Sequence, residues 1–174
     1  MIETERLLLR KPRPEDAQDL LEYAGDPEVA RWIGGETGDL VATRAKVAGW
    51  LARWDADGIG HFCVVHEGRV LGRCGFVVWD ARDWRLSSYA DAGDHAETEL
   101  GWTLARKYWG HGYATEAAHA LRAWAYRERG VERLISLISP RNVRSIRVAD
   151  KLGAEPEQLV LTGPGPAIVW VHPR

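Results

Sequence analysis

Apolar positions along the chain change period twice, and proline or glycine bounds each change. The N-terminus MIETERLLLRKP alternates into a strand, with RLLLRKP from Arg6 a short apolar run stopped by Pro12. RPEDAQDLLEYAG then predicts a helix, with Pro14 near its start, acids in the first turn and Gly25 after the last. DPEVARWIGG repeats the device over a shorter helix. Asp26 is its N-cap, Pro27 its first helical position and Gly34 its terminator, and Val29, Trp32 and Ile33 form an apolar face. From Asp39 to Asp57, Leu40, Val47, Trp50, Leu51 and Trp54 recur mostly at three, four or seven residues, which predicts an amphipathic helix broken by DADGIG.

The middle of the chain has strand character. HFCVVHEGRVLGRCGFVVWD holds two β-branched and aromatic runs around Glu67-Gly68, a hairpin signature. ARDWRLSSYADAGDH, Ala81 to His95, is polar and turn-rich and reads as a surface loop. AETELGWTL predicts a strand from Ala96 to Leu104, followed by a helix from Tyr113 to Glu128 ended by Gly130. Then come a strand from Arg133 to Ser139 and a helix from Asn142 to Leu152 ended by Gly153. Gln158 to Thr162 and Ala167 to Val171 form a terminal antiparallel pair across GPGP. No repeat, linker or low-complexity segment interrupts the series, so one domain over residues 1–174 is expected.

Composition narrows the function classes. With 174 residues, 45% hydrophobic and 28% charged, the chain suffices for one core. Its net charge of −2 supplies no global field for nucleic acid or an anionic membrane, and neither is expected as a partner. No apolar run approaches the ~20 residues of a membrane span, and the N-terminus lacks a signal-peptide core. A soluble cytoplasmic protein is expected. Cys63 and Cys74 lie in apolar runs without C-x-x-C spacing and read as buried reduced thiols. The six histidines form no H-x-x-x-H pair, so no metal site is indicated.

The stretch RKYWGHGYATEA, Arg106 to Ala117, sets two glycines directly against a helix start. The first N–H groups of a helix have no intrahelical partner, and they carry the positive end of its dipole. Gly110 and Gly112 can take φ > 0 so that successive N–H groups converge, and they have no Cβ to block a diphosphate. A tight turn needs the same two residues, so spacing alone leaves both readings open. The loop lacks the G-K-[ST] of a Walker A motif, and Thr115 stands where a dinucleotide fingerprint needs its third glycine.

This loop resembles the pyrophosphate loop, [Gln/Arg]-x-x-Gly-x-[Gly/Ala], of the GNAT superfamily of acyl-CoA-dependent N-acetyltransferases. Here it reads Lys107-Tyr108-Trp109-Gly110-His111-Gly112, with lysine in the first position. IETERLLLRKPRPEDAQDL, EGRVLGRCGF, ELGWTLARKYWGHGYATEA and SPRNVRSIRVADKLGA, in that order, resemble its RimJ/RimL-type branch, the ribosomal-protein N-acetyltransferases. The resemblance implies a mixed α/β (α+β) fold, with one central sheet splayed between two parallel strands and helices on both faces. The diverging pair would be Glu97 to Leu104 and Arg133 to Ser139. It further implies acetyl-CoA as co-substrate, no metal, an amine acceptor, and a possible homodimer at family level. Cofactor contacts would come from Trp102, Thr103 and Leu104 on the strand. Others would come from Lys107, Trp109, Gly110, His111, Gly112, Tyr113 and Ala114 in the loop, and from Asn142, Ser145 and Lys151 on the late helix.

Asn142, Ser145, Ala149 and Leu152 share one helical face. By spacing alone Asn142 is equally a helix cap and Ser145 a small packing residue. The family's N-x-x-S pattern makes them cofactor contacts and Ser145 the candidate to protonate the departing thiolate. Many relatives carry a tyrosine acid where this chain has Ala149. Arg144, Arg147 and Lys151 form a stripe, either a solvated face or a partner for the 3′-phosphate of CoA.

An ammonium cannot attack a thioester, so a base is required. Glu97 and Glu99 project to one face of their strand. Glu99, which matches the family's acidic position, is the first candidate for base or water organiser, and Glu97 the second. Neither cysteine lies in the cofactor blocks, so no covalent intermediate is expected. Trp32, Trp50, Trp54, Trp79 and Trp84 are core aromatics or acceptor-pocket walls. Acceptor choice is assigned to Gly34 to Thr43 and Ala81 to His95, and the amine is a protein N-terminus or a small molecule. A non-catalytic acyl-CoA sensor or interaction module on the same fold is the alternative.

Overall fold

A computed structural model describes residues 1–34 and 37–174. Gly35 and Glu36, inside the Gly34 to Thr43 segment assigned to acceptor choice, lie outside the described residues. The N-terminal run divides into two short strands, β1 (Ile2–Glu3) and β2 (Leu8–Arg10), folded back on each other with Ile2 opposite Leu9. A 3-10 turn at Pro14–Asp16 leads into α1 (Ala17–Ala24), and α2 (Pro27–Ala30) and α3 (Leu40–Asp57) follow. Most caps match the punctuation of the sequence, but α2 stops at Ala30 with Arg31 as its C-cap, so the chain leaves the helix before the expected terminator Gly34 and a turn carries Trp32 and Ile33. Asp26 accepts from the Glu28 N–H, Asp39 from the Ala42 N–H, and Gly58 ends α3 at φ 68°.

β3 (His61–His66) and β4 (Arg69–Asp80) form the expected hairpin. Glu67 and Gly68 both have positive φ, 47° and 78°, as the twist-matched two-residue turn requires. Ala81 to His95 is more structured than its composition predicts. It holds β5 (Arg85–Ser87), paired to β4, then α4 (Tyr89–Ala92) and a 3-10 turn. The chain continues through β6 (Ala96–Leu104), α5 (Tyr113–Glu128), β7 (Leu134–Ile138), α6 (Val143–Lys151), β8 (Glu155–Thr162) and β9 (Gly165–Val171). β8 begins three residues before the strand predicted there. Its start carries glutamates and Pro156, which an exposed edge strand tolerates.

Among the described residues, nine strands make one sheet in the order β1-β2-β3-β4-β6-β7-β9-β8, with β5 on β4. All pairs are antiparallel except β6 with β7. One face packs Cys63, Val65 and Val70 against Leu20, Tyr23 and Val47 of α1 and α3. The other packs Phe62, Phe76 and Leu100 against Ala117, Leu121 and Ala125 of α5. Strand alternation sorts the residues between these faces.

Gly75 makes a close approach that no other residue fits. It has φ 152°, and a Cβ there would stand 2.5 Å from the Gly60 carbonyl oxygen and 2.7 Å from His61 Cα. Gly75→Ala is therefore expected to lower stability by about 3 kcal/mol, from backbone strain plus overpacking. Gly68→Ala, with open space at the same point, should cost only about 1 kcal/mol for its left-handed backbone. Urea unfolding of both variants checks the contrast, and equal losses would contradict it.

Candidate active site

The parallel pair supplies the site's geometry. β6 and β7 are in register only at Thr98 with Leu134 and Glu99 with Ile135, after which β7 turns away to pair with β9 over Ile135 to Ile138. Side chains take over the ladder where it stops. The Ser136 hydroxyl donates to the Leu100 carbonyl at 2.5 Å, and the Leu137 N–H reaches Glu99 Oε1 at 3.5 Å. Ser136 Oγ also lies 2.8 Å from His172 Nε2. With the hydroxyl proton committed to Leu100, His172 donates its Nε2–H, and its buried Nδ1 is left without a partner. Burial, reinforced by Arg122, pushes the His172 pKa down to about 4, so the ring is neutral.

The gap opens into a cleft of about 1360 Å³. One end is walled by the starts of α5 and α6. Gly110 and Gly112 have φ 82° and 83°, and Gly112 is the N-cap of α5 with no side-chain cap. The backbone N–H groups from Gly110 to Thr115 donate to no group among the described residues. A Cβ on Gly110 would meet nothing within 4 Å, so that side of the loop is open. The loop is braced from behind. Glu116 accepts from Thr4 Oγ1 (2.6 Å), Arg6 N (2.9 Å) and Arg6 Nε (2.7 Å), while Arg6 donates to the His111 carbonyl and lies over the Tyr113 ring. Desolvation raises the Glu116 pKa, but these bonds outweigh it and hold the carboxyl below its usual range.

Trp102, Thr103, Leu104, Trp109, Gly110, Gly112, Tyr113, Ala114, Asn142, Ser145 and Lys151 all line the cleft. Trp109 is fixed by its indole N–H on the Leu104 carbonyl at 2.8 Å. Thr103 Oγ1 is buried without a partner. Asn142 Oδ1 accepts from the Ser145 N–H at 3.2 Å, so Asn142 does cap α6. Asn142 lines the cleft, and its amide NH2 donates to no group among the described residues.

Three expected side chains lie elsewhere. Lys107 pairs with Glu22 at 2.7 Å on the outer surface. The His111 ring stacks on Tyr113 and is held by the Trp109 carbonyl at 2.9 Å. Glu97, the second candidate base, is tied to Arg133 at 3.0 Å, which also binds Glu157. It stands where β6 and β7 are still adjacent and faces no cleft.

Glu99 stands in the cleft. Trp79 Nε1 donates to its Oε2 at 2.5 Å. Burial raises its pKa above the ordinary 4.5, and the Trp79 and Leu137 N–H groups and the nearby Arg73 only partly offset that rise. Trp32 and Trp79 wall the cleft beside it, whereas Trp54 is in the core and Trp84 packs under β9. Sequence reasoning missed Arg73 and His61, which line the same end. The available signal was a lone arginine inside the apolar run VLGRCGFVVW.

A family model described as acetyltransferase (GNAT) domain matches residues 6–155. The chain belongs to this family. It is 28% identical over 160 residues to the uncharacterized N-acetyltransferase p20 of Bacillus licheniformis, spanning 90% of this chain and 83% of that protein. An acetyltransferase structure from Agrobacterium tumefaciens str. C58 superposes with TM-score 0.79 at 28% identity, covering 99% of this chain and 94% of that one. AAC(6′)-Ib, solved with ribostamycin and coenzyme A, shares the fold with TM-score 0.78 at 22% identity, over 98% and 94% of the two chains. No helix among the described residues is long and apolar enough to cross a membrane.

Because the folded-state pKa of Glu99 is raised, the folded protein holds its proton more tightly than the unfolded chain does. Its contribution to stability is complete below pH 4.5 and falls as pH rises through the folded value. Relative to Glu99→Gln, the unmodified protein should therefore lose stability as pH rises above 4.5. Urea unfolding of both proteins across that window reads the effect, and a pH-independent difference would contradict it.

Proposed function

We propose that the chain is a cytoplasmic acetyl-CoA-dependent N-acetyltransferase, in which a primary amine attacks the thioester directly in a ternary complex. The observation that carries this reading is the run of free N–H groups from Gly110 to Thr115 at an uncapped helix start, open on the side where Gly110 has no Cβ. Such a cradle fits a diphosphate. Family membership and the coenzyme A held by a neighbour of the same fold support the choice of cofactor. When bound, acetyl-CoA supplies the activated acetyl group.

The chain's own residues divide the remaining work. Arg144, Arg147 and Lys151 line the cleft from α6 and supply cations for the terminal phosphate. Asn142 offers its amide NH2 to the pantetheine arm, and Trp102, Thr103 and Leu104 follow the arm along β6. Glu99 accepts a proton from the incoming amine, and its raised pKa makes it a stronger base than a solvated carboxylate. Ser145 supplies a proton to the leaving sulfur from the start of α6. Both cysteines are buried free thiols, as suits a reducing compartment. Protein N-terminal amines, the acceptors of the RimJ/RimL-type branch, and small-molecule amines both fit this chemistry.

Calorimetry with acetyl-CoA is the direct test. Binding is expected to the unmodified protein and to be abolished in Gly110→Glu, which sets a carboxylate into the open loop. No binding to the unmodified protein at millimolar cofactor would sink the reading. Glu99→Gln should bind acetyl-CoA normally and lose about 10²–10⁴-fold in kcat. Ser145→Ala should lower kcat more than affinity, and unchanged turnover would remove its role as acid.

A further inference from the structure

Beyond Glu99 the cleft ends in a second charged group that the transfer reaction does not require. Arg73 on β4 lies opposite Thr103 on β6, so the same sheet face carries Arg73, Glu99 and, between them, Gly101. A Cβ on Gly101 would stand 3.6 Å from Glu99 Oε1 and 3.7 Å from an Arg73 terminal nitrogen. Both charges thus overhang one glycine, yet they form no ion pair, and no carboxylate among the described residues lies within ion-pair distance of Arg73. The guanidinium instead donates to His61 Nδ1 at 3.3 Å. His61 is a neutral acceptor, because burial and the adjacent arginines hold its pKa well below 6.5.

A half-buried guanidinium whose one direct hydrogen-bond partner among the described residues is neutral, with Glu99 nearby but out of contact, is an incomplete ion pair, and an anion arriving in the cleft completes it. Arg31, paired with Glu28 at 3.0 Å, also lines the cleft, and Glu99 is the sole carboxylate among the described lining residues. That balance disfavours a polycation. Trp32, Ile33, Val77, Trp79 and Leu86 make the surrounding wall apolar.

We propose that the acceptor is a free α-amino acid with an apolar or aromatic side chain, its carboxylate on Arg73 and its amine at Glu99 over Gly101. This rests on the acetyl-CoA reading above. The amine nitrogen bonds to the acetyl carbonyl carbon as the thioester C–S bond breaks. One amine proton passes to Glu99 and one proton ends on the sulfur, leaving an N-acetyl amino acid and free coenzyme A.

Thiol release from acetyl-CoA, measured with L-phenylalanine, L-leucine, phenethylamine, L-phenylalaninamide, kanamycin and a short peptide, tests the proposal on the unmodified protein. The free amino acids are expected to exceed phenethylamine and the amide by about 10²-fold in kcat/KM, the range of a charge-assisted bidentate contact. Arg73→Gln should raise KM for L-phenylalanine by a similar factor, leave acetyl-CoA affinity unchanged, and erase the preference over phenethylamine. Acetyl-CoA binding with equal use of phenethylamine, or with use of kanamycin or the peptide alone, overturns this inference and leaves the cofactor reading standing. Absence of acetyl-CoA binding overturns both.

Discussion

The structure depends on how the parallel ladder between β6 and β7 ends. Two residue pairs bond in register, and the strands then separate inside the protein, where backbone groups without partners cost about 1–3 kcal/mol each. Ser136 satisfies the Leu100 carbonyl, and Glu99 meets the Leu137 N–H. The pairing of β7 with β9 stabilises the divergence from the far side. The cleft is therefore built in by hydrogen bonding. The Leu100 carbonyl can only accept, which fixes the Ser136 hydroxyl and makes the neutral His172 behind it a donor.

The helices that follow the two diverging strands begin beside the gap, and their N-termini differ. α6 is capped by Asn142, whose Oδ1 takes the Ser145 N–H. α5 begins at a left-handed glycine with no side-chain cap, so its first N–H groups are exposed to whatever enters. The N-terminal hairpin keeps that loop in shape without covering it, since Arg6 and Glu116 brace its outer side. Unpaired backbone donors are thus concentrated at α5, while α6 contributes side chains.

Much of this was legible in the chain. Helix limits followed Asp26, Asp39, Gly58, Gly130 and Gly153, because caps and left-handed terminators are local requirements that sequence carries directly. The Glu67-Gly68 hairpin was readable for the same reason. Order in Ala81 to His95 was not. It comes from pairing with β4 at Val78 and Trp79 and from the Tyr89 N–H on Asp57, contacts with distant partners. Lys107 matched a loop pattern, yet its side chain goes to Glu22 on α1, which loop spacing does not reveal. Arg73 escaped notice because a single charge in a strand has meaning only once the facing strand is known.

Glu97 and Glu99 show what two residues of position decide. They share a strand and a face, and nothing in their spacing ranks one above the other as a base. Glu97 falls just before the two paired residues, where the chains already run side by side and Arg133 is within reach, and is held in an ion-pair network. Glu99 falls at the divergence, where its direct partners are the neutral N–H groups of Trp79 and Leu137. Neutral donors compensate burial less completely than a guanidinium in contact, so desolvation prevails and its proton affinity rises. The separation between Glu99 and Arg73 matters for the same reason. A direct ion pair there would lower the Glu99 pKa, weakening it in the proposed role of base, and would also occupy Arg73. Gly101 leaves the space between them open, so one glycine on β6 keeps room for the amine and carboxylate of the proposed acceptor.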